Sequence, residues 1–144
     1  MSSANLPPDL EDLARSWLRH TLKQSDEFES WEKARDLAEH DPERAWQLTL
    51  ALIARLPDNL LDHVSASILE HILEHHAESF VDRVEEWARV DSRFQLCLSR
   101  VWLVDDDAPA PVLERLRMAA GGSLEIMPRA ELDRLEKEYD AGGA

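Results

Sequence analysis

Apolar residues recur along this chain at intervals of three and four, and proline or aspartate interrupts each stripe that they draw. Leu10, Leu13, Trp17, Leu18 and Leu22 form the first stripe, on a helix predicted to start near Pro8-Asp9. Phe28, Trp31, Ala34, Leu37 and Ala38 form the second, on a helix from about Asp26 to Glu39. Asp41-Pro42-Glu43 then opens a third helix. Aspartate is a good N-cap, proline suits the first turn, and glutamate favours the positive end of the helix dipole. The third stripe is the broadest. Ala45, Trp46, Leu48, Leu50, Leu52, Ile53 and Leu56 cover half the circumference or more, so this helix needs neighbours on two sides and belongs at the centre. Pro57 ends it.

Residues 58–76 read as one broken helix or two short ones, with the break at Ser65-Ala66-Ser67, where serine hydroxyls compete for the backbone. A helix over about 78–90 carries Phe80, Val81, Val84, Trp87 and Ala88 inward. Asp91-Ser92 caps the next, with Phe94, Leu96, Leu98, Val101 and Trp102 on its stripe. Three aspartates and two prolines make 105–111 a connection. A helix over Val112–Ala120 ends at Gly121-Gly122, and a polar helix over 127–140 closes the chain. No convincing alternating strand is present, so the expectation is all-α with no sheet.

The segments 31–52 and 81–102 echo one another. In each, an amphipathic helix meets an aspartate and then a more apolar helix. The predicted architecture is a compact stack of antiparallel helical hairpins, HEAT-like, with about seven or eight helices. It forms a single helical domain over 1–144 that includes a C-terminal helical extension over 109–140.

The chain has 144 residues, a length that suits one domain. Thirty acidic residues against sixteen basic ones give a net charge of −14. That charge repels nucleic-acid phosphate and anionic membrane and favours a basic partner. Cys97 is the one cysteine. It precludes an intramolecular disulfide and, among apolar neighbours, reads as a small core residue. The start lacks a basic segment followed by an apolar one, and no apolar run approaches about 20 residues. The expectation is a cytoplasmic monomer or homodimer.

His71-Ile72-Leu73-Glu74-His75 fits the H-x-x-E-H pattern of inverted zinc peptidases. On a helical wheel the apolar face is drawn by Ile68, Leu69, Ile72 and Leu73. His71, Glu74 and His75 lie off that face, toward solvent, and His76 points into it. A catalytic zinc needs a third ligand and an outer shell, and no further motif supplies one. His76 is then a core-edge histidine whose ring N–H reaches a carbonyl or an acid. Phosphate-binding glycine loops and nucleophile elbows are missing from the sequence. The five tryptophans fall on apolar stripes or at their edges, which favours core for most of them.

The set F-x-x-W from Phe28, D-P-x-x-A-W from Asp41, L-E-x-x-L-x-x-H from Leu69 with F-V-D-x-V-E from Phe80, and D-x-x-F-x-x-x-L-x-x-V-W from Asp91 resembles a domain-of-unknown-function family of small bacterial helical proteins. The resemblance covers about residues 10–103. It implies an all-helical protein with no assigned activity. Ala77 stands where that pattern has glycine, Ser92 where it has proline, and a histidine is not typical at position 71. His76 and Asp82 match its recurring polar positions, and the expectation is that they form a structural polar pair.

The leading functional reading is a non-enzymatic acidic interaction module that binds or neutralises a basic protein, such as a bacterial toxin, in an immunity-like role. Its candidate contact residues are Glu70, Glu74, Glu78, Asp105, Asp106 and Asp107. It uses no cofactor, metal, nucleic acid or membrane. The alternative is a zinc-dependent hydrolase built on His71, Glu74 and His75.

Overall fold

The computed structural model describes residues 6–23 and 29–142. Eight α-helical segments run through them: α1 Pro8–Leu22, α2 Glu29–His40, α3 Pro42–Arg55, α4 Leu61–Val64, α5 Glu70–Val90, α6 Ser92–Leu98, α7 Ala110–Ala119 and α8 Arg129–Gly142. A 3-10 turn, Asp58–Leu60, leads into α4, and a π-helical turn, Ser65–Leu69, joins α4 to α5. The fold class is the helical one the stripes predict. The sequence places Asp26 and Phe28 on the second helix, but both lie outside the described residues.

α3 is the centre of the packing, as its broad stripe requires. It touches α1, α2, α4, α5 and α6. Ala45, Leu48, Ala51 and Leu52 are fully buried, and Trp46 is 5 % exposed. The Trp46 indole lies against Phe80 of α5 at 5.4 Å and Phe94 of α6 at 5.5 Å between ring centroids. Three helices therefore meet on one aromatic side chain, in the tilted and edge-on geometries that ring quadrupoles favour.

The helix junctions repay comparison with the sequence. Asp91 caps α6 as expected, its Oδ1 accepting from the N–H groups of Arg93 at 3.0 Å and Phe94 at 3.1 Å. Asp41 stands at the corresponding place before α3 but makes no such bond. Its carboxylate instead lies 3.8 Å from Arg44 Nε. The serine-rich break takes the form of the π turn. Ser65 Oγ donates to Cys97 O at 2.6 Å, and Ser67 Oγ bonds back to His63 O. Hydroxyls that compete for carbonyls widen the helix here without ending it. The sharper irregularity is at His76, whose φ of −138° and ψ of 25° kink α5. Leu22, placed on the first stripe by spacing, is 56 % exposed at the end of α1.

The expectation of no sheet is corrected by two short strands. β1, Trp102–Val104, and β2, Glu125–Met127, pair in parallel with Leu103 opposite Ile126. α7 connects them and packs along α5, so the three make a small β-α-β unit on the helical body. Strands of three residues are too short to show alternation, and Val101 and Trp102 had been absorbed into the preceding apolar stripe. Gly121 and Gly122 end α7 with φ of 75° and 89°, conformations that a side chain would strain. α8 leaves the body with nearly every residue exposed.

Arginines tie the helices together from outside. Arg55 of α3 forks onto Glu11 of α1 at 2.8 Å through each nitrogen, and Arg83 of α5 forks onto Glu43 of α3 at 2.6 Å. Arg115 of α7 reaches Asp82 at 2.6 Å and also Glu85, both on α5. Arg93 holds Asp58 at 2.8 Å and donates to the last carbonyls of α3, Ile53 O at 2.6 Å and Leu56 O. Most of these pairs are open to water, which screens them, so they orient the helices more than they stabilise them. Among the described residues no helix is long and apolar enough to cross a membrane.

Because Trp46 joins three helices, Trp46→Ala is expected to cost about 3–5 kcal/mol, the range for deleting a large buried aromatic. Chemical denaturation checks this. A loss below about 1 kcal/mol, typical of surface sites, would contradict the packing described.

Candidate functional site

The first turns of α5 lie beside β1, and this places several of the chain's candidate acids in one corner. In β1, alternate N–H groups point to opposite edges. Those of Trp102 and Val104 turn away from β2, and each meets a carboxylate. Trp102 N donates to Glu70 Oε1 at 2.7 Å, and Val104 N donates to Asp107 Oδ2 at 2.7 Å. Two side chains, one from a helix and one from the following turn, thus occupy positions that a neighbouring strand's carbonyls would take.

Burial pushes the Glu70 carboxyl up to about 7. The Trp102 N–H opposes the shift, and the charges of Glu74 and Asp107 add to it. Burial also raises the Asp107 carboxyl above its ordinary range, against the Val104 N–H and with help from Glu74 and Asp106. The same two causes act on both groups: partial loss of water and accumulated negative charge.

The six acids chosen from sequence have different fates. Glu70, Glu74 and Asp107 come together. Glu78 is exposed further along α5. Asp105 accepts from Arg129 N at 3.1 Å, at the start of α8, and Asp106 holds the Arg129 side chain in a fork at 3.0 and 3.1 Å. The DDD segment is therefore a joint that fixes β1 and α8, with one of its three charges directed into the corner.

His71 is the histidine that sequence reasoning misplaced. It was expected in solvent, but its side chain is 19 % exposed. Its Nδ1 bonds to Glu74 Oε2 at 3.0 Å, and its Nε2 accepts from Arg35 Nε of α2. Arg35 can only donate, so Nε2 is the acceptor and the proton sits on Nδ1. Both ring nitrogens are engaged, and the one nearest α2 faces a guanidinium. His75 is exposed as expected. Together with Glu32, Asp36 and Glu39 of α2, these residues line an open groove of about 450 Å³ between α2 and α5. Among the described residues no three His, Cys, Asp or Glu side chains are grouped so as to hold a metal ion.

His76 bonds as its place on the wheel suggests, with Nε2 donating to Glu39 O at 2.8 Å near the end of α2. The expected pairing with Asp82 is corrected: Asp82 is turned outward to Arg115. Both residues lie on α5 rather than on two helices across a turn, and positions six apart on a helix do not share a face. Cys97 is fully buried, as its apolar neighbours implied. Burial pushes its thiol up to about 12, so it stays protonated and unreactive at neutral pH.

Trp102 was missed as a surface residue. Its place at the end of an apolar stripe suggested core. On β1 the side chains alternate, so Leu103 is buried and Trp102 is 56 % exposed. The VWLV run followed by three aspartates is the sequence signal that could have identified a short strand.

A family described as a family of unknown function (DUF6869) matches residues 19–124 by its sequence model. The match begins later and ends later than the motifs that first suggested such a family. It includes the whole corner formed by Glu70, Glu74, β1 and Asp107. No curated protein and no solved structure matches the chain.

Two outcomes are expected. Between about pH 4.5 and 7 the folded chain retains a proton on Glu70 that the unfolded chain has released. Stability contributed by this group therefore falls as pH rises through that window. Glu70→Gln keeps an acceptor for Trp102 N without the charge. Its melting temperature should match the parent near pH 5 and exceed it at pH 8; an equal or lower value at pH 8 would contradict the burial argument. Separately, His76→Ala should lower stability by about 1 kcal/mol, the net value of a hydrogen bond. His75→Ala should fall within about 0.5 kcal/mol of the parent in the same denaturation experiment.

Proposed function

The chain belongs to the DUF6869 family, and we propose that it is a non-enzymatic acidic module that binds a basic protein. The observation that carries this reading is the corner of Glu70, Glu74 and Asp107. Three acids are gathered there, and their mutual repulsion adds to the burial that raises the Glu70 and Asp107 carboxyls above their ordinary range. A cationic partner would relieve that repulsion and lower both values.

The distribution of positive charge supports the same reading. Arg55, Arg83, Arg93, Arg115 and Arg129 are drawn into contacts between elements, which leaves the surplus of −14 to the outer surface. Such a surface accelerates encounter with a basic protein and repels acidic ones. A buried, protonated Cys97 suits a cytoplasmic setting as well as any other. In its finer form the proposal is an immunity-like protein that neutralises a basic toxin. This form rests on charge and size by analogy.

The test is capture from native lysate on the immobilised protein, beside a Glu74→Lys variant. The expected result is a specific protein of basic isoelectric point, eluted by moderate salt and lost from the variant. A neutral or acidic partner, or a complex indifferent to both salt and Glu74→Lys, would overturn the proposal.

A further inference from the structure

Beside the acidic corner lies an open cleft of about 790 Å³ whose walls include Glu70, Trp102, Glu125 and Arg100. Its geometry follows from the sheet. Trp102 and Glu125 are register partners in the parallel ladder, and such neighbours present their side chains on one face. Glu70 approaches Trp102 from the opposite edge, with one carboxylate oxygen committed to the Trp102 N–H. An exposed indole is thus flanked by a carboxylate on either side. Arg100, on another wall, is already paired with Asp62, so that guanidinium is committed elsewhere.

We propose that this cleft receives the guanidinium of an arginine side chain from the protein partner, stacked on the Trp102 indole and bonded to Glu70 and Glu125. This rests on the interaction reading above and gives it an anchor. A planar, weakly hydrated cation suits an aromatic face and a carboxylate together, because it can stack through its plane while its edge donates hydrogen bonds. An ammonium group has no such plane and keeps its water more strongly. Tryptophan is also the residue most enriched where binding energy concentrates, and 56 % exposure leaves this one available.

The probes are the capped peptides Ac-Gly-Arg-Gly-NH2, Ac-Gly-Lys-Gly-NH2 and Ac-Gly-Gln-Gly-NH2, titrated into the full chain. The readout is the Trp102 indole N–H resonance, assigned with Trp102→Phe. The arginine peptide should shift it saturably, with an affinity in the millimolar range expected of one side chain. Glu70→Gln and Glu125→Gln should each weaken binding by roughly threefold or more, as loss of a charge-assisted contact implies. In Trp102→Leu, read by the Ser123 and Glu125 backbone amides, the saturable shift should disappear.

Equal shifts from the glutamine peptide would overturn the proposal, as would non-saturating changes spread evenly over the acidic surface. Equal affinity for the lysine peptide would overturn the assignment to guanidinium. The two proposals fail separately. If a basic partner is captured and lost with Glu74→Lys but the arginine peptide does not bind, the cleft falls and the interaction reading stands. If the peptide binds saturably but no basic protein is captured, the cleft stands and the interaction reading falls.

Discussion

A helix that is apolar over most of its circumference must be surrounded, and α3 imposes that requirement on the whole molecule. α1, α2, α4, α5 and α6 all contact it, and the Trp46 indole is the point at which α3, α5 and α6 meet. Once those helices are placed around α3, the remaining chain has one side of α5 left to cover. α7 takes it, and the strands on either side of α7 come into register as a result. The acidic corner is therefore a secondary product of core packing: it forms where the first turns of α5 pass β1.

Charge works on a different scale from this packing. The arginine contacts between helices are mostly solvent-exposed, and each stabilises weakly. Their effect is to remove positive charge from the general surface and fix it at element junctions. Where water is partly excluded and no guanidinium bonds the carboxyl, its pKa moves upward. Glu70 and Asp107 are raised in this way, whereas Glu43 and Glu85, bonded to Arg83 and Arg115, are held below the ordinary range.

Much of the helical architecture was legible in sequence because helix periodicity is repeated over many residues. The broad stripe of α3, the Asp91 cap and the break at the serines each had a local cause that could be read without the fold. The strands had none: three residues contain too little alternation, and their partner is more than twenty residues away. Site legibility followed the same rule. Glu70 and Glu74 could be selected as ridge acids, but their meeting with Asp107 depends on β1. His71 was assigned to solvent from one helix alone, and Arg35 of α2 supplies the neighbour that a single wheel omits. His76 was expected to reach a carbonyl or an acid and bonds to Glu39 O, whereas Asp82 is held by Arg115 of α7, a neighbour that α5 alone does not reveal.

The carboxylates on Trp102 N and Val104 N bear on how the protein behaves in a crowded solution. A short sheet with an open edge offers unpaired N–H groups to any extended chain that drifts against it. Here two N–H groups on that edge are answered from within, by acceptors that also carry or can acquire negative charge. An incoming strand would have to displace both and bring its own carbonyls close to Glu74. On the β1 side the edge is thereby blunted against templated addition of an extended chain, by acceptors drawn from a helix and a turn of the same protein.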